Sequence, residues 1–221
     1  MRHAGRMWSC RVIAVVASIA LAAGCSSDKQ TEGEKRATSA ASGLKETRAE
    51  LAAGRAQIDK MIASMNALRD DQGNLQTEFA TFNTEVKNTE AAAAKTRDRA
   101  ASMRARSAEY QTKWRQEMAT VDDPTLRAAA DARVQMVRER FDSIKAKAAE
   151  GRTAYDSLMK QLKSLQTYLS NDLTAPGIKA VTPVFDKATA DAKTVNEKLD
   201  AVIAELDSVS SAMPGGQPAK K

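Results

Sequence analysis

Two runs of small and apolar residues, spaced alternately by four and three, restrict this chain more than any other feature. The first comprises Leu75, Phe79, Phe82, Val86, Thr89, Ala93, Thr96, Ala100 and Met103. After Asp122-Asp123-Pro124 the rhythm returns in Val134, Val137, Phe141, Ile144, Ala148, Gly151, Tyr155, Leu158, Leu162, Leu165 and Leu169. A repeat near 3.5 residues belongs to helices that pack along their length, not to strands. Aromatic residues make up only 4% of the chain, so a thin seam is expected rather than a thick globular core. The stretch 75–169 therefore predicts a helical hairpin, with the remaining chain laid against it.

Turn chemistry divides the chain around this hairpin. Helical rhythm begins near Leu44 and passes through Leu51, Ile58, Met61, Met65 and Leu68. It stops at Asp70-Asp71-Gln72-Gly73-Asn74, where Gly73 suits a C-terminal cap and Asn74 the next N-cap. The second helix is expected from Leu75 to about Thr120. Asp123 then caps a third helix, whose first residue, Pro124, has no N–H to lose, and which runs to about Ser170. Asn171 to Gly177 forms the following turn. A fourth helix carries Val181, Phe185, Ala188, Ala192, Val195, Leu199, Val202, Leu206, Val209 and Met213, with Pro183 either marking its start or kinking it.

These turns set three registers that agree with one another. The central hairpin pairs Ala100 with Ala148, Ala93 with Tyr155 and Val86 with Leu162. The first pairs Met65 with Phe82 and Gly54 with Ala93, and the last pairs Phe185 with Leu165 and Val195 with Tyr155. Layers such as Met65, Phe82, Leu165, Phe185 result, as does Gly54, Ala93, Tyr155, Val195, where one large residue faces small ones. The expected fold is all-α, an antiparallel four-helix bundle over residues 42–213. The two central helices, each ~45 residues or about 70 Å long, outrun the outer pair. Residues 107–137 should then project as a two-helix coiled-coil tip. Tyr110, Trp114, Met118, Val121, Leu126 and Val134 lie there; they either zip the two helices together or form a contact site for a partner.

The N-terminus reads as an address. Arg2, Arg6 and Arg11 precede the apolar run Val12 to Leu21, which is short for a membrane span of ~20 residues. Residues 1–24 are therefore expected to be a signal peptide. The run ends in Leu21-Ala22-Ala23-Gly24-Cys25, which resembles the lipobox of bacterial lipoproteins, with Ala22 where that family most often has Leu. The resemblance implies lipidation of Cys25, and Ser26 after it implies sorting to the outer membrane, facing the periplasm. Residues 25–41, polar and small, are expected to act as a flexible tether. Residues 214–221 should be a disordered tail. Cys10 leaves with the leader and Cys25 is blocked by lipid, so no disulfide pair remains.

Chemistry-bearing residues are few. The single histidine, His3, lies in the leader, so the mature chain lacks the usual general base and the commonest zinc ligand. No phosphate-binding Gly loop follows a strand, and the pairs Asp70-Asp71 and Asp122-Asp123 sit where helix caps are needed. Neither a catalytic residue, nor a metal site, nor a cofactor is expected. Without Arg2, Arg6 and Arg11 the chain has 31 basic and 28 acidic residues, too balanced for a nucleic-acid footprint. Arg97, Arg99, Arg104, Arg106, Lys113 and Arg115 read as a solvated helix face with salt-bridge partners.

The lipobox cysteine together with Trp114 and Glu117, Leu126-Arg127, Arg133 through Phe141, and Leu165 through Leu173 is similar to an uncharacterised family of bacterial coiled-coil lipoproteins. The similarity covers most of residues 42–213 and implies architecture and location, without an active site. A lipidated rod ending in Lys220-Lys221 is also similar to the murein lipoprotein, which implies a peptidoglycan link through Lys221; plain solvation is the simpler account of that end. The expected function is a non-enzymatic, membrane-anchored rod that binds an envelope protein or a second copy of itself. The alternative is a periplasmic carrier or holdase for apolar cargo, using the methionines Met61, Met65 and Met103. An efflux-type adaptor would also need β-rich domains flanking the hairpin, and none is predicted.

Overall fold

The computed structural model describes residues 31–70 and 73–212. The leader, Cys25 and the tail 214–221 lie outside the described residues. Helix α1 spans Glu32–Asp70, α2 Leu75–Met118, α3 Pro124–Asn171, α4 Ala175–Ala180 and α5 Thr182–Ala212. The four long helices form the expected antiparallel bundle, and α4 is a single extra turn inside the 171–181 connection.

Local chemistry explains each boundary. Helix α1 starts at Glu32, about ten residues before the predicted rhythm, so the expected tether 25–41 is helical from residue 32 onward. Thr31 and Glu34 form a capping box: the Glu34 N–H donates to Thr31 Oγ1 at 3.2 Å, and the Thr31 N–H donates to Glu34 Oε2 at 2.8 Å. Asn74 stands at the N-cap of α2 as predicted, but only its backbone carbonyl serves, accepting from Thr77 and Glu78. Asp123 caps α3 through its carboxylate, which accepts from the Thr125 N–H at 2.7 Å and the Leu126 N–H at 3.1 Å. These bonds, that of Leu126 foremost, hold its carboxyl below the usual range.

The last connection is more compact than the predicted turn. The Thr174 hydroxyl accepts from the Gly177 N–H and donates to the Asp172 carboxylate. A Cβ at Gly177 would overlap the Asp172 carbonyl, so this close approach requires glycine. Pro183 marks the start of α5 rather than a kink within it, because the break falls at Val181, just before Thr182.

Two apolar clusters run along the bundle axis. The first, toward the end where α1 passes to α2 and α3 to α5, holds Met65, Phe82, Leu165 and Phe185, the predicted layer, at 0–2% exposure. The second surrounds Leu44, Met103, Ile144 and Leu206. At the inner end of the first cluster, Gly54, Ala93 and Tyr155 are only half-buried around Val195, so the core narrows there. Ala148, placed in the seam by its heptad position, is exposed. Lys147, on the neighbouring face, is half-buried and runs toward α5 to reach Glu205 at 2.7 Å.

Among neighbouring long helices, close backbone approach is most extensive between α1 and α2, then between α3 and α5, and least extensive between α2 and α3. The expected central hairpin is therefore the loosest seam of the bundle. Side-chain size accounts for this. Helix α1 buries Ala37, Ala40, Ala41 and Gly43, and a Cβ at Gly43 would stand 3.5 Å from the Met103 Cα. Helix α3 offers Tyr155 and Met159 on its α2 side, which hold the backbones apart.

Phe185 is fully buried, whereas Leu126 is 59% exposed. Phe185→Ala should therefore cost about 3–5 kcal/mol in urea unfolding and Leu126→Ala under ~0.5 kcal/mol. Equal costs for the two substitutions would contradict this core.

Candidate functional site

Two regions have the shape and exposure to meet a partner: the end of the α2–α3 hairpin and the open seam between those helices. At the hairpin end, six residues expected to lie together fall into three environments. Tyr110 packs against the second apolar cluster and its ring lies 5.4 Å from that of Trp114, tilted by 53°. Burial pushes its phenol up, while Arg133 and Arg36 pull it down, so groups from α1 and α3 both face it. Val134 is buried, along with Ala130 and Val137. Trp114, Met118 and Val121 are half-buried, and Leu126 is exposed. Met136, at 49% exposure, is a further exposed apolar residue that heptad reasoning passes over because it falls between Val134 and Val137.

The uncovered part of the hairpin is shorter than residues 107–137. Arg36, in the first turns of α1, pairs with Glu117 of α2, so α1 accompanies α2 almost to its end. On the other side Arg140 of α3 donates to Ser208 of α5 at 3.1 Å, close to where the register places it. The bare end therefore begins past Glu117 and centres on the 118–126 turn. Tyr110 belongs to the body of the bundle, and Val134 zips α3 to its neighbours. Of the candidate contact residues, Trp114, Met118, Val121 and Leu126 retain surface.

The seam between α2 and α3 opens into a groove of about 970 Å³. Tyr155 and Met159 line it together with Glu90, Arg97, Lys160 and Lys163. Lys163 pairs with Glu90 across it at 2.6 Å, and Gln166 donates to Asn83 at 2.7 Å nearby. The Tyr155 hydroxyl reaches the Thr89 carbonyl at 3.5 Å. A second concavity of about 410 Å³ lies nearer the hairpin end, lined by Gln111 and Arg115 of α2 and by Val134 and Arg138 of α3, among others. Large-against-small matching around Tyr155 is legible in the sequence; the resulting gap is not, because it depends on how far apart the backbones settle.

Lys163 and Glu90 satisfy each other, and no nucleophile and base stand in hydrogen-bonded series in the groove among the described residues. Among the described residues no three His, Cys, Asp or Glu side chains are placed to hold a metal ion. No described helix is long and apolar enough to cross a membrane.

A family profile with the description "Protein of unknown function (DUF2959)" matches residues 29–213. No curated protein and no solved structure matches the chain. The matched span starts three residues before α1 and ends one residue after α5, so it coincides with the bundle.

Burial foremost, reinforced by the Glu90 carboxylate and opposed by Arg97, pushes the Tyr155 phenol up to about 12. The folded chain thus keeps this proton to higher pH than the unfolded chain, whose tyrosines titrate near 10. The stabilising contribution is complete below pH ~10 and is lost as pH rises toward ~12. Tyr155→Phe should remove the last phenolate to appear in an absorbance titration and flatten the alkaline fall in melting temperature. An unchanged final step would place that phenolate on another tyrosine.

Proposed function

The chain belongs to the DUF2959 family, and we propose that it is a non-enzymatic, membrane-anchored lipoprotein acting as an interaction rod in the cell envelope. The observation that carries this reading is the distribution of its polar groups. Charged side chains are spent on holding long helices in register: Arg48 to Asp207, Arg55 to Asp200 and Arg69 to Asp186 join α1 to α5. Lys147 to Glu205 and Lys198 to Glu150 join α3 to α5. Solvent screens such exposed pairs, so their value lies in alignment more than stability. A helix of 48 residues extends about 72 Å at 1.5 Å per residue, which suits a spacer that presents one end at a distance.

The hairpin turn supplies that end. Leu126 is exposed beside half-buried Trp114, Met118 and Val121, an anchor-like set for an envelope protein or for a second copy. The carrier alternative is less well supported. Met61 and Met65 are fully buried and Met103 is 4% exposed, so cargo could reach them only by unpacking both clusters. The lipobox sequence ending in Cys25 supports attachment to the outer membrane on the periplasmic side.

Two measurements test this reading. Cys25→Ala should move the chain from the membrane fraction to the soluble fraction and remove the acyl mass from its N-terminus; retention on the membrane would exclude lipid anchoring through this residue. A photoreactive residue at Leu126 should give discrete crosslinked species in intact cells, while one at exposed Lys193 on α5 should not. Equal crosslinking at both positions would remove the hairpin end as a contact site.

A further inference from the structure

The basic residues of α2 divide by face. Arg99 and Arg106, seven residues apart, both reach Glu46 of α1, at 3.3 and 3.2 Å. Arg97 and Arg104 repeat the same interval two residues earlier; Arg97 lines the groove beside α3, Arg104 follows it one heptad on, and neither makes an ion pair among the described residues. Helix α3 answers with Arg138, Lys145 and Arg152, again seven residues apart and all exposed. Arg138 lines the concavity beside Gln111 and Arg115, which puts this row on the α2 side. Of the three, only Arg152 touches a carboxylate, that of Asp156 on its own helix, at 3.7 Å.

Two rows of cations thus flank a seam whose floor is small. Ala100 on α2 and Ala148 on α3, which the register pairs, lie between the rows, the first half-buried and the second exposed, so another backbone can come close without displacing large side chains. Seven residues of helix rise about 10.5 Å, the interval at which a second helix repeats its own face. A flat lipid surface would meet a convex cationic face more readily than cations lining a concavity.

We propose that the α2–α3 seam is a docking groove for an acidic amphipathic helix of a partner protein. That helix would rest on the alanine floor and place heptad-spaced carboxylates against Arg97 and Arg104 on one side and Arg138 and Lys145 on the other. This surface extends the interaction-rod reading, uses neither the lipid anchor nor the hairpin end, and can therefore fail separately from them.

The test uses the purified full-length chain and a fluorescent helical peptide of about four heptads, with Leu and Ala on one face flanked by Glu at heptad spacing. The control has the same composition in scrambled order. Fluorescence anisotropy should show the heptad peptide binding at least tenfold more tightly than the control, with affinity falling as salt is raised. The double variant R97E/R104E, and separately R138E/K145E, should each weaken binding at least tenfold while circular dichroism stays unchanged. Glu46→Gln, on the α1 side of the arginine run, should leave binding intact. Equal binding of the heptad and scrambled peptides, or full binding by both charge-reversed variants, would overturn the assignment. So would binding of phosphatidylglycerol vesicles that both variants lose while the peptide binds neither variant nor parent, which would give the seam to a lipid surface.

Discussion

The approach of α1 to α2 governs how the other helices are spaced. Gly43 of α1 lies against the Met103 backbone of α2, where a Cβ would stand 3.5 Å from the Met103 Cα, and Ala40 is buried in the same apolar cluster as Met103. Close packing has no tolerance for voids, so wherever small residues face a helix the backbones must draw together. On the opposite side of α2 the residues contributed by α3 are large, with Tyr155 and Met159 facing the half-buried Ala93. The bundle thereby gains one tight seam and one wide one. The wide one remains as a groove.

Electrostatics follow the same partition. Arginines that face a close neighbour find carboxylates: Arg99 and Arg106 share Glu46, and Arg36 meets Glu117. Arginines that face the wide seam, Arg97 and Arg104, have no carboxylate partner among the described residues. One basic run along α2 therefore has two physical characters, set by a rotation of about 200° over two residues at 3.6 residues per turn. The paired side fixes register, and the unpaired side is left to meet solvent or a partner.

Much of this architecture was legible in the residues. Heptad spacing gave the helices and turn chemistry gave their order. Counting outward from each turn placed Met65, Phe82, Leu165 and Phe185 in one layer, and all four are buried together. The start of α1 was missed because Thr31-Glu32-Gly33-Glu34 is followed by Ala37, Ala40 and Ala41, too small to register as an apolar stripe. The capping-box pattern itself was available, since Thr and Glu stand three residues apart. Missing it made the bare hairpin end look longer than it is and moved Tyr110 from the core into the candidate contact set. Ala148 shares its helix face with Phe141 and Tyr155, seven residues to either side, and is exposed because the seam between α2 and α3 is open there.

The sequence by itself determined the helical class, the turns and the register, because all three depend on local periodicity and on caps such as Asp123. It did not determine which pair of neighbouring helices would be close and which would stand apart. That choice rests on the summed volumes at each interface, where Gly43 meets Met103 and Tyr155 reaches the Thr89 carbonyl, contacts between residues sixty or more positions apart. Only the assembled bundle sets those volumes against one another, and so only it turned the predicted central hairpin into the open seam.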